Sequence, residues 1–552
     1  MDNMGNTMKK QNFMQGAAIL IIGNFLVKLI GGALKIPLTF ILKEEGMAVF
    51  NTAYQVYAML FAISTAGIPV AVSKIVAESM AIGQVKDTKR IFTVALAILS
   101  GIGLVGMLVL FFGARQIASL MGDTKIVYCV MAVSPAIFFI TIVASYRGFF
   151  QGMQNMIPTA VSQIIEALGK LVIGVILAYA LISISTFEIA ATGAILGVTS
   201  GTAISAVVLT LMYFKSKSQI YSGYENVPYS KSKREIAKTI LTIAIPITIG
   251  ASVTSVTAVV DTAMIRANLQ RIVFSPETAQ ALYNTYSGFS NNFDDITTTL
   301  KITESGARWL YGAYSGYAMT LFNIAPSIVV SIGMSLVPAI VSAYAVNNLD
   351  GARESTQTAL RITLIIALPC VAGLEMLSAP VLKLIFNNSA SSILLRLLSP
   401  AIIWMTVVTV TTSILQATGR VMVPFWNMVI GAVIKIVVNW FAVSNPYLYI
   451  HGAPIGTNLC YLFVAASNLY FLKKTIDIKY DVVSILLKPL LCAAAMGAVV
   501  WLMYNPLESI LHSGRFATVA DILIGGLVYL VMLVLTGSIT KQDVNMIIKR
   551  KK

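Results

Sequence analysis

Apolar runs of about 20 residues or more recur along the chain, each long enough to cross a hydrocarbon layer roughly 30 Å thick as a helix. A backbone in hydrocarbon must satisfy its own N–H and C=O groups, so runs of this length and composition predict membrane-spanning α-helices. Fourteen are read, at about 13–42, 50–80, 90–113, 126–150, 157–182, 188–214, 238–266, 309–341, 358–382, 393–416, 422–443, 453–472, 484–504 and 518–538. Only 11% of the 552 residues are charged and 57% are hydrophobic, whereas soluble domains are about 25% charged. The expected fold class is an all-α polytopic membrane protein. Lys9-Lys10 ahead of an apolar run has the look of a secretory leader, but the run is too long and lacks a small-x-small cleavage site, so it is read as a retained first helix.

Net charge is +16, which in a soluble protein would suggest nucleic acid; in a membrane protein its distribution carries the information. With the N-terminus inside, about 24 Lys/Arg fall on that side, about 10 on the other and five within spans. Both termini are therefore expected in the cytoplasm, together with the basic segments Lys215 to Lys238, Lys473 to Lys488 and Lys541 to Lys552, which are read as solvated loops near anionic lipid. No nucleic-acid partner is expected.

The five intramembrane lysines are Lys28, Lys35, Lys74, Lys170 and Lys435. A cation at the bilayer centre costs roughly 2.5–3.5 kcal/mol, so five facing lipid would cost on the order of 12–17 kcal/mol. They are expected to face a water-filled, cationic cavity, which suits an anionic cargo. Lys28 and Lys35 are seven apart and share one face of the first span. Gly31 and Gly32 lie between them and Pro37 follows, a pattern that lets the helix bend or another backbone approach. Lys74 follows Gly67-Ile68-Pro69, where the hydrogen-bond ladder can break; it lies near a span end and can equally snorkel. Glu166 precedes Lys170 by one helical turn, so that pair can neutralise itself. Gly431 stands where Glu166 would be in the second half, leaving Lys435 without that neighbour. Asp261 is an intramembrane carboxylate, a candidate ion site or the charge partner of a cavity lysine, with a structural contact to Arg266 as the competing reading. Glu375 is a weaker candidate of the same kind.

The chain repeats at an offset of about 265 residues: Ser134-Pro135-Ala136-Ile137 returns as Ser399-Pro400-Ala401-Ile402, Gln151 and Pro158 as Gln416 and Pro424, Lys170 as Lys435, and Gly193 and Gly197 as Gly452 and Gly456. Six spans in each half make the repeat parallel, two bundles able to rock about a central site. The expected organisation is an N-terminal bundle over 1–214, a cytoplasmic linker over 215–237, a C-terminal bundle over 238–475, and two accessory helices with a basic tail over 476–552. The external stretch 267–308 is long enough to fold locally.

Other chemistry is excluded by context. Gly101-Ile-Gly103-Leu-Val-Gly106 matches a dinucleotide fingerprint but lies inside an apolar span with no preceding strand, so helix packing explains it. No GxxxxGK[ST] loop occurs, so transport would run on gradients or potential. Cys129, Cys370, Cys460 and Cys492 are scattered through spans without CxxC spacing and read as packing residues. No cofactor, metal or catalytic residue is expected.

The stretch Lys28-Leu-Ile-Gly31-Gly-Ala-Leu-Lys35-Ile-Pro37-Leu, with Glu45-Gly46, Tyr54-Gln55, Gly67-Ile-Pro69 and Ser73-Lys74-Ile-Val-Ala-Glu78, resembles the polysaccharide-flippase branch of the MOP exporter superfamily. It looks most like the SpoVB/YtgP proteins, relatives of the MurJ lipid II flippases. The resemblance extends through Tyr311-Gly312-Ala-Tyr314 and Ser335-Leu-Val-Pro338-Ala-Ile. It implies a fourteen-helix MOP-exporter fold in the bacterial cytoplasmic membrane, a last helix pair that forms a groove for a lipid tail, and an undecaprenyl-pyrophosphate-linked saccharide, most of all lipid II, as cargo. Cell-wall synthesis proteins are the implied partners beyond membrane lipids. By position, Lys28, Lys35 and Lys74 would hold the pyrophosphate; Lys435 and Lys170 rank behind them on the reading of the residues alone. The first-helix pair departs from the MurJ pattern, where arginines six apart are followed by an acid; lysine is a point charge without arginine's bidentate fork. A multidrug antiporter of the same superfamily, which would need an acid-rich cavity, and a non-transporting envelope scaffold are the alternatives.

Overall fold

A computed structural model describes residues 13–538, apart from 66, 82, 222–231, 327–328, 330–348, 419, 421 and 479. Among the described residues there is no strand, and the helices fall into two compact units, residues 1–266 and 267–552. The motif Ser335 to Ile340 and the basic tail from 541 lie outside the described residues.

In the first unit the order is α1 (Phe13–Thr65), α2 (Ile68–Ala81), α3 (Val85–Phe112), α4 (Ala114–Leu120), α5 (Val127–Gly152), α6 (Ile157–Ile182), α7 (Phe187–Tyr221) and α8 (Lys233–Arg271), whose last turn runs into the second unit. The first apolar run ends at Leu42, and there Lys43, followed by Glu44-Glu45-Gly46, adopts φ 52° and ψ −164°, which breaks the helix into two arms as the two separate runs 13–42 and 50–80 imply. A second break separates α1 from α2. Here Gly67 comes so close to α8 that a Cβ would sit 2.1 Å from the Ala244 carbonyl oxygen. The Gly67 carbonyl is not freed by the break, because it accepts from Ala71 N at 3.0 Å.

Between α6 and α7 the backbones themselves touch. A Cβ on Gly169 would lie 2.5 Å from the Gly201 Cα, and one on Gly197 would lie 2.3 Å from the Gly174 Cα. Helices in lipid gain little from the hydrophobic effect and associate through such close van der Waals packing of small residues. By contrast, Gly31 and Gly32 of α1 are exposed, with no atom of another described element within 4 Å of either added Cβ. The close approach expected there is made by α6 and α7 instead.

The second unit continues with α9 (Pro276–Tyr286), α10 (Ile296–Thr299), α11 (Glu304–Gly312), α12 (Met319–Phe322), α13 (Leu349–Phe386), α14 (Ser392–Leu398), α15 (Ala401–Ala417), α16 (Met422–Ser444), α17 (Gly452–Ile476), α18 (Lys488–Leu511) and α19 (Gly514–Leu535). The stretch 267–308 does fold locally. Ser275 caps α9, with Pro276 at its first turn, and Thr303 caps α11 by accepting from Gly306 N. Tyr286, Phe293 and Trp309 pack edge-on or tilted with centroids 5.4–5.6 Å apart. Tyr286 Oη lies 3.3 Å from His451 Nε2, joining the stretch to the start of α17.

The α16–α17 pair echoes α6–α7. A Cβ on Gly456 would lie 3.3 Å from the Lys435 carbonyl oxygen, just as one on Gly197 would lie 3.2 Å from that of Lys170. The sequence repeat is thus also a repeat of helix packing. Among the described residues nine helices are long and apolar enough to cross a membrane, or ten when α14 and α15, bent by 42°, make one broken span. The four further runs read from the sequence fall on the two arms of α1 with α2, on α8, and on 309–341, where 327–328 and 330–341 lie outside the described residues.

Candidate functional site

The first unit holds four of the five intramembrane lysines, and their surroundings differ sharply. Lys28 lies in α1 with its side chain outside the described residues. Lys35 is half-buried on the same arm; its carbonyl accepts from Thr39 Oγ1 at 2.7 Å, while among the described residues its ammonium makes no hydrogen bond or ion pair. The open space at Gly31 and Gly32 lies one turn away. Lys74 is exposed on α2, also with no ionic partner among the described residues.

Lys170 is engaged. Its Nζ donates to Glu166 Oε1 at 2.7 Å, as the spacing of one turn predicts, and lies over the Tyr57 ring at 5.5 Å. The other oxygen of Glu166 accepts from Arg147 Nη2 at 3.0 Å, and Arg147 Nε donates to Ser162 Oγ at 2.9 Å. Arg147 and Glu166 are both buried. Two cations share one carboxylate, so the cluster retains a net positive charge, but its strongest donors are already turned inward. Arg147 falls near the end of an apolar run, where an arginine reads as a flank; the signal that could have found it is its 15-residue separation from Ser162 on the neighbouring span.

Asp261 is buried on α8. Arg266, five residues further on, is completely buried and forms an ion pair with Asp123, Nη2 to Oδ2 at 2.5 Å, while Nη1 donates to Thr52 Oγ1 at 3.3 Å. Asp123 was not singled out in the sequence because it sits in the short connection before α5, where an aspartate reads as a turn residue; it does that too, accepting from Lys125 N at 3.0 Å.

In the second unit Lys435 is half-buried on α16. At positions one repeat on from Arg147 and Ser162 stand Thr412 and Asn427. Asn427 Nδ2 donates to Asn468 Oδ1 at 2.8 Å, and Asn468 Nδ2 donates to Thr411 and Thr412 at 3.2 and 3.1 Å. A neutral network thus occupies the place of the charged one. Glu375 on α13 accepts from Ser399 Oγ at 2.5 Å. Residues Ala313–Ala318 wind as a π-helix, a form that recurs at functional sites. Ser391 Oγ donates to the Ala313 carbonyl at 2.8 Å. An apolar groove of about 230 Å³ is lined by Leu321, by Pro369, Gly373 and Leu377 of α13, by Ile402 and by Ile522 of α19. Among the described residues no group of three or more His, Cys, Asp or Glu side chains could hold a metal ion.

This chain matches the family model described as polysaccharide biosynthesis protein over residues 13–344, and that of the lipid II flippase MurJ over 296–517. Three Bacillus subtilis (strain 168) proteins are similar: the uncharacterized membrane protein YabM, 25% identical over 99% of this chain and 96% of its own length; stage V sporulation protein B, 24% over 86% of each; and the lipid II flippase MurJ, 24% over 83% and 81%. Among solved structures, lipid II flippase MurJ in an inward closed conformation superposes with TM-score 0.64 at 16% identity, over 93% of this chain and 98% of that one. An inward-facing multidrug resistance MATE transporter of the MOP superfamily gives 0.60 at 15%, over 82% and 94%. The helical fold is therefore shared with MurJ and with transporters of the MOP superfamily, and the chain, similar in sequence to MurJ, belongs to the polysaccharide biosynthesis protein family.

Proposed function

We propose that this protein is a flippase of the bacterial cytoplasmic membrane, with both termini in the cytoplasm, that moves an undecaprenyl-pyrophosphate-linked saccharide, lipid II in the first instance, from the inner to the outer leaflet by alternating access. One observation carries the reading: Lys35 presents an ammonium without an ionic partner from within a membrane-spanning helix, next to open space at Gly31 and Gly32. A cation held there at a cost of a few kcal/mol is retained for something it binds. Lys28, on the same face, and Lys74 complete the set for the pyrophosphate. Lys170 contributes field more than contact, since Glu166 already holds its ammonium. Lys435 is the lesser candidate in the second unit, and the apolar groove lined by Ile522 suits a polyprenyl chain.

Outward movement of about two negative charges from a negative interior gains roughly 4–5 kcal/mol per 100 mV, so potential is a sufficient drive. Returning the empty cationic site opposes the same field, and an ion at Asp261 would offset that step. The fold is shared with multidrug transporters, but an organic cation would meet Lys35 and Lys74 as like charges, which disfavours an antiporter of that kind. A scaffold has no use for a buried cation.

The test is replacement of Lys28, Lys35 and Lys74 by alanine in a cell whose resident lipid II flippase has been removed, with lipid II exposure on the outer leaflet as the readout. Loss of exposure by the folded triple variant is expected. Full exposure would sink the model, and loss confined to changes in the basic loops would favour a scaffold.

A further inference from the structure

Asp521 lies two turns into α19, a helix long and apolar enough to span the membrane, and its side chain has no exposed surface. Neither carboxylate oxygen has a hydrogen-bond partner among the described residues. The stripe it belongs to is packed closed on both sides. One turn on, a Cβ on Gly525 would lie 2.7 Å from Val500 of α18, and two turns on, Tyr529 Oη donates to the Ile365 carbonyl of α13 at 2.8 Å. One turn back, Ala517 is also fully buried.

The titratable groups on the helices packed against it are occupied or turned to the surface. On α13, Glu375 accepts from Ser399, Cys370 lines the groove and Lys383 is exposed. On α18, Cys492 bonds Thr536, Glu508 is exposed and Tyr504 is half-buried in the apolar cluster. On α19 itself, Arg515 donates to Asn387. None of these is hydrogen-bonded to Asp521.

An ionised carboxylate in so dry a place, with no cation against it, carries an effective penalty of several kcal/mol, and the group takes up a proton instead. The geometry points to Asp521 as a proton-binding site of the accessory helix pair: the neutral acid is the form that lets α19 seat against α13 and α18, and loosening of that seat gives the proton back to water. The step is a simple addition of H⁺ from water to one carboxylate oxygen, with no electrons exchanged. Ile522, the next residue, lines the apolar groove with Pro369, Gly373 and Leu377 of α13. Proton occupancy therefore sets whether that groove is closed on the α19 side. Such a site exists whatever the cargo, so it does not depend on the flippase reading.

The experiment is infrared difference spectroscopy of the full-length protein in lipid nanodiscs, wild type against Asp521→Asn, between about pH 6 and 8. Asparagine copies the shape of the neutral acid, and unchanged helix content by circular dichroism establishes that the variant folds. Expected is a carbonyl-stretch band of a protonated, non-hydrogen-bonded carboxylic acid in the wild type that is absent from Asp521→Asn. Spectra that superimpose in that region mean an ionised or hydrogen-bonded Asp521 and overturn the proposal. Lys35→Ala should keep the band, so loss of flipping there and loss of the band here fail separately.

Discussion

Each unit carries a buried polar network at equivalent positions, and the two are built from different chemistry. In the first, Arg147, Glu166, Lys170 and Ser162 form a charged chain; in the second, Asn427, Asn468, Thr411 and Thr412 form a neutral one. Duplication has kept the place where helices are stitched together and changed the thread. A charged network desolvates three ions and survives only because each has a partner, whereas a neutral one places less at stake. Of the two networks, only the first carries a surplus positive charge.

The largest effect that would break this comparison is expected at Glu166. Glu166→Ala strands Arg147 and Lys170 without a counter-charge and should cost about 3–5 kcal/mol, read as a lowered unfolding midpoint in detergent. Next is Asn468→Ala, which removes the hub of the neutral network and should cost about 1–3 kcal/mol by the same measurement. If Asn468→Ala proved as damaging as Glu166→Ala, charge would not be what distinguishes the halves. Gly431 sharpens the point, since a Cβ there would lie 2.5 Å from Val464 and 3.3 Å from Cys460 Sγ. Gly431→Ala should cost about 1–3 kcal/mol through overpacking, which explains why no acid can stand beside Lys435 at that position. The smallest effect on stability is expected for Lys35→Ala, within about 0.5 kcal/mol, because no partner is lost; lipid II exposure should nevertheless fall at least tenfold. A Lys35→Ala protein that flips normally would return Lys35 to the status of a snorkelling residue.

Much of this was legible before any coordinates. Run length fixed the helical class, and the Glu166–Lys170 pair followed from spacing, because both are short-range properties of a helix. Arg147, Asp123 and Asp521 were not legible. The first two acquire their roles from partners 19 and 143 residues away, and the third from the absence of one, which no local pattern encodes. The break at Lys43 falls where the charged Lys43-Glu44-Glu45 ends the first apolar run, whereas the π-helix at Ala313–Ala318 was hidden, since an apolar run looks the same whether its turns are α or π. Glycine pairs misled in one place: Gly31 and Gly32 look like a contact and are open, while Gly169, Gly174, Gly197 and Gly201 carry the contact through spacing on two separate helices.

Where Gly169 meets Gly201 and Gly174 meets Gly197, neither backbone has room to slide past the other. Helices α6 and α7 are in effect a single rib, and α16 with α17, locked at Gly456, are a second. A transport cycle cannot spend its motion inside either rib. Inside the long described helices, the main chain departs from helical geometry at Lys43 and Leu377, and α1 and α2 are separated at Gly67. Such breaks are places where a helix can bend at little cost, and the glycine contacts are places where two helices can move only together.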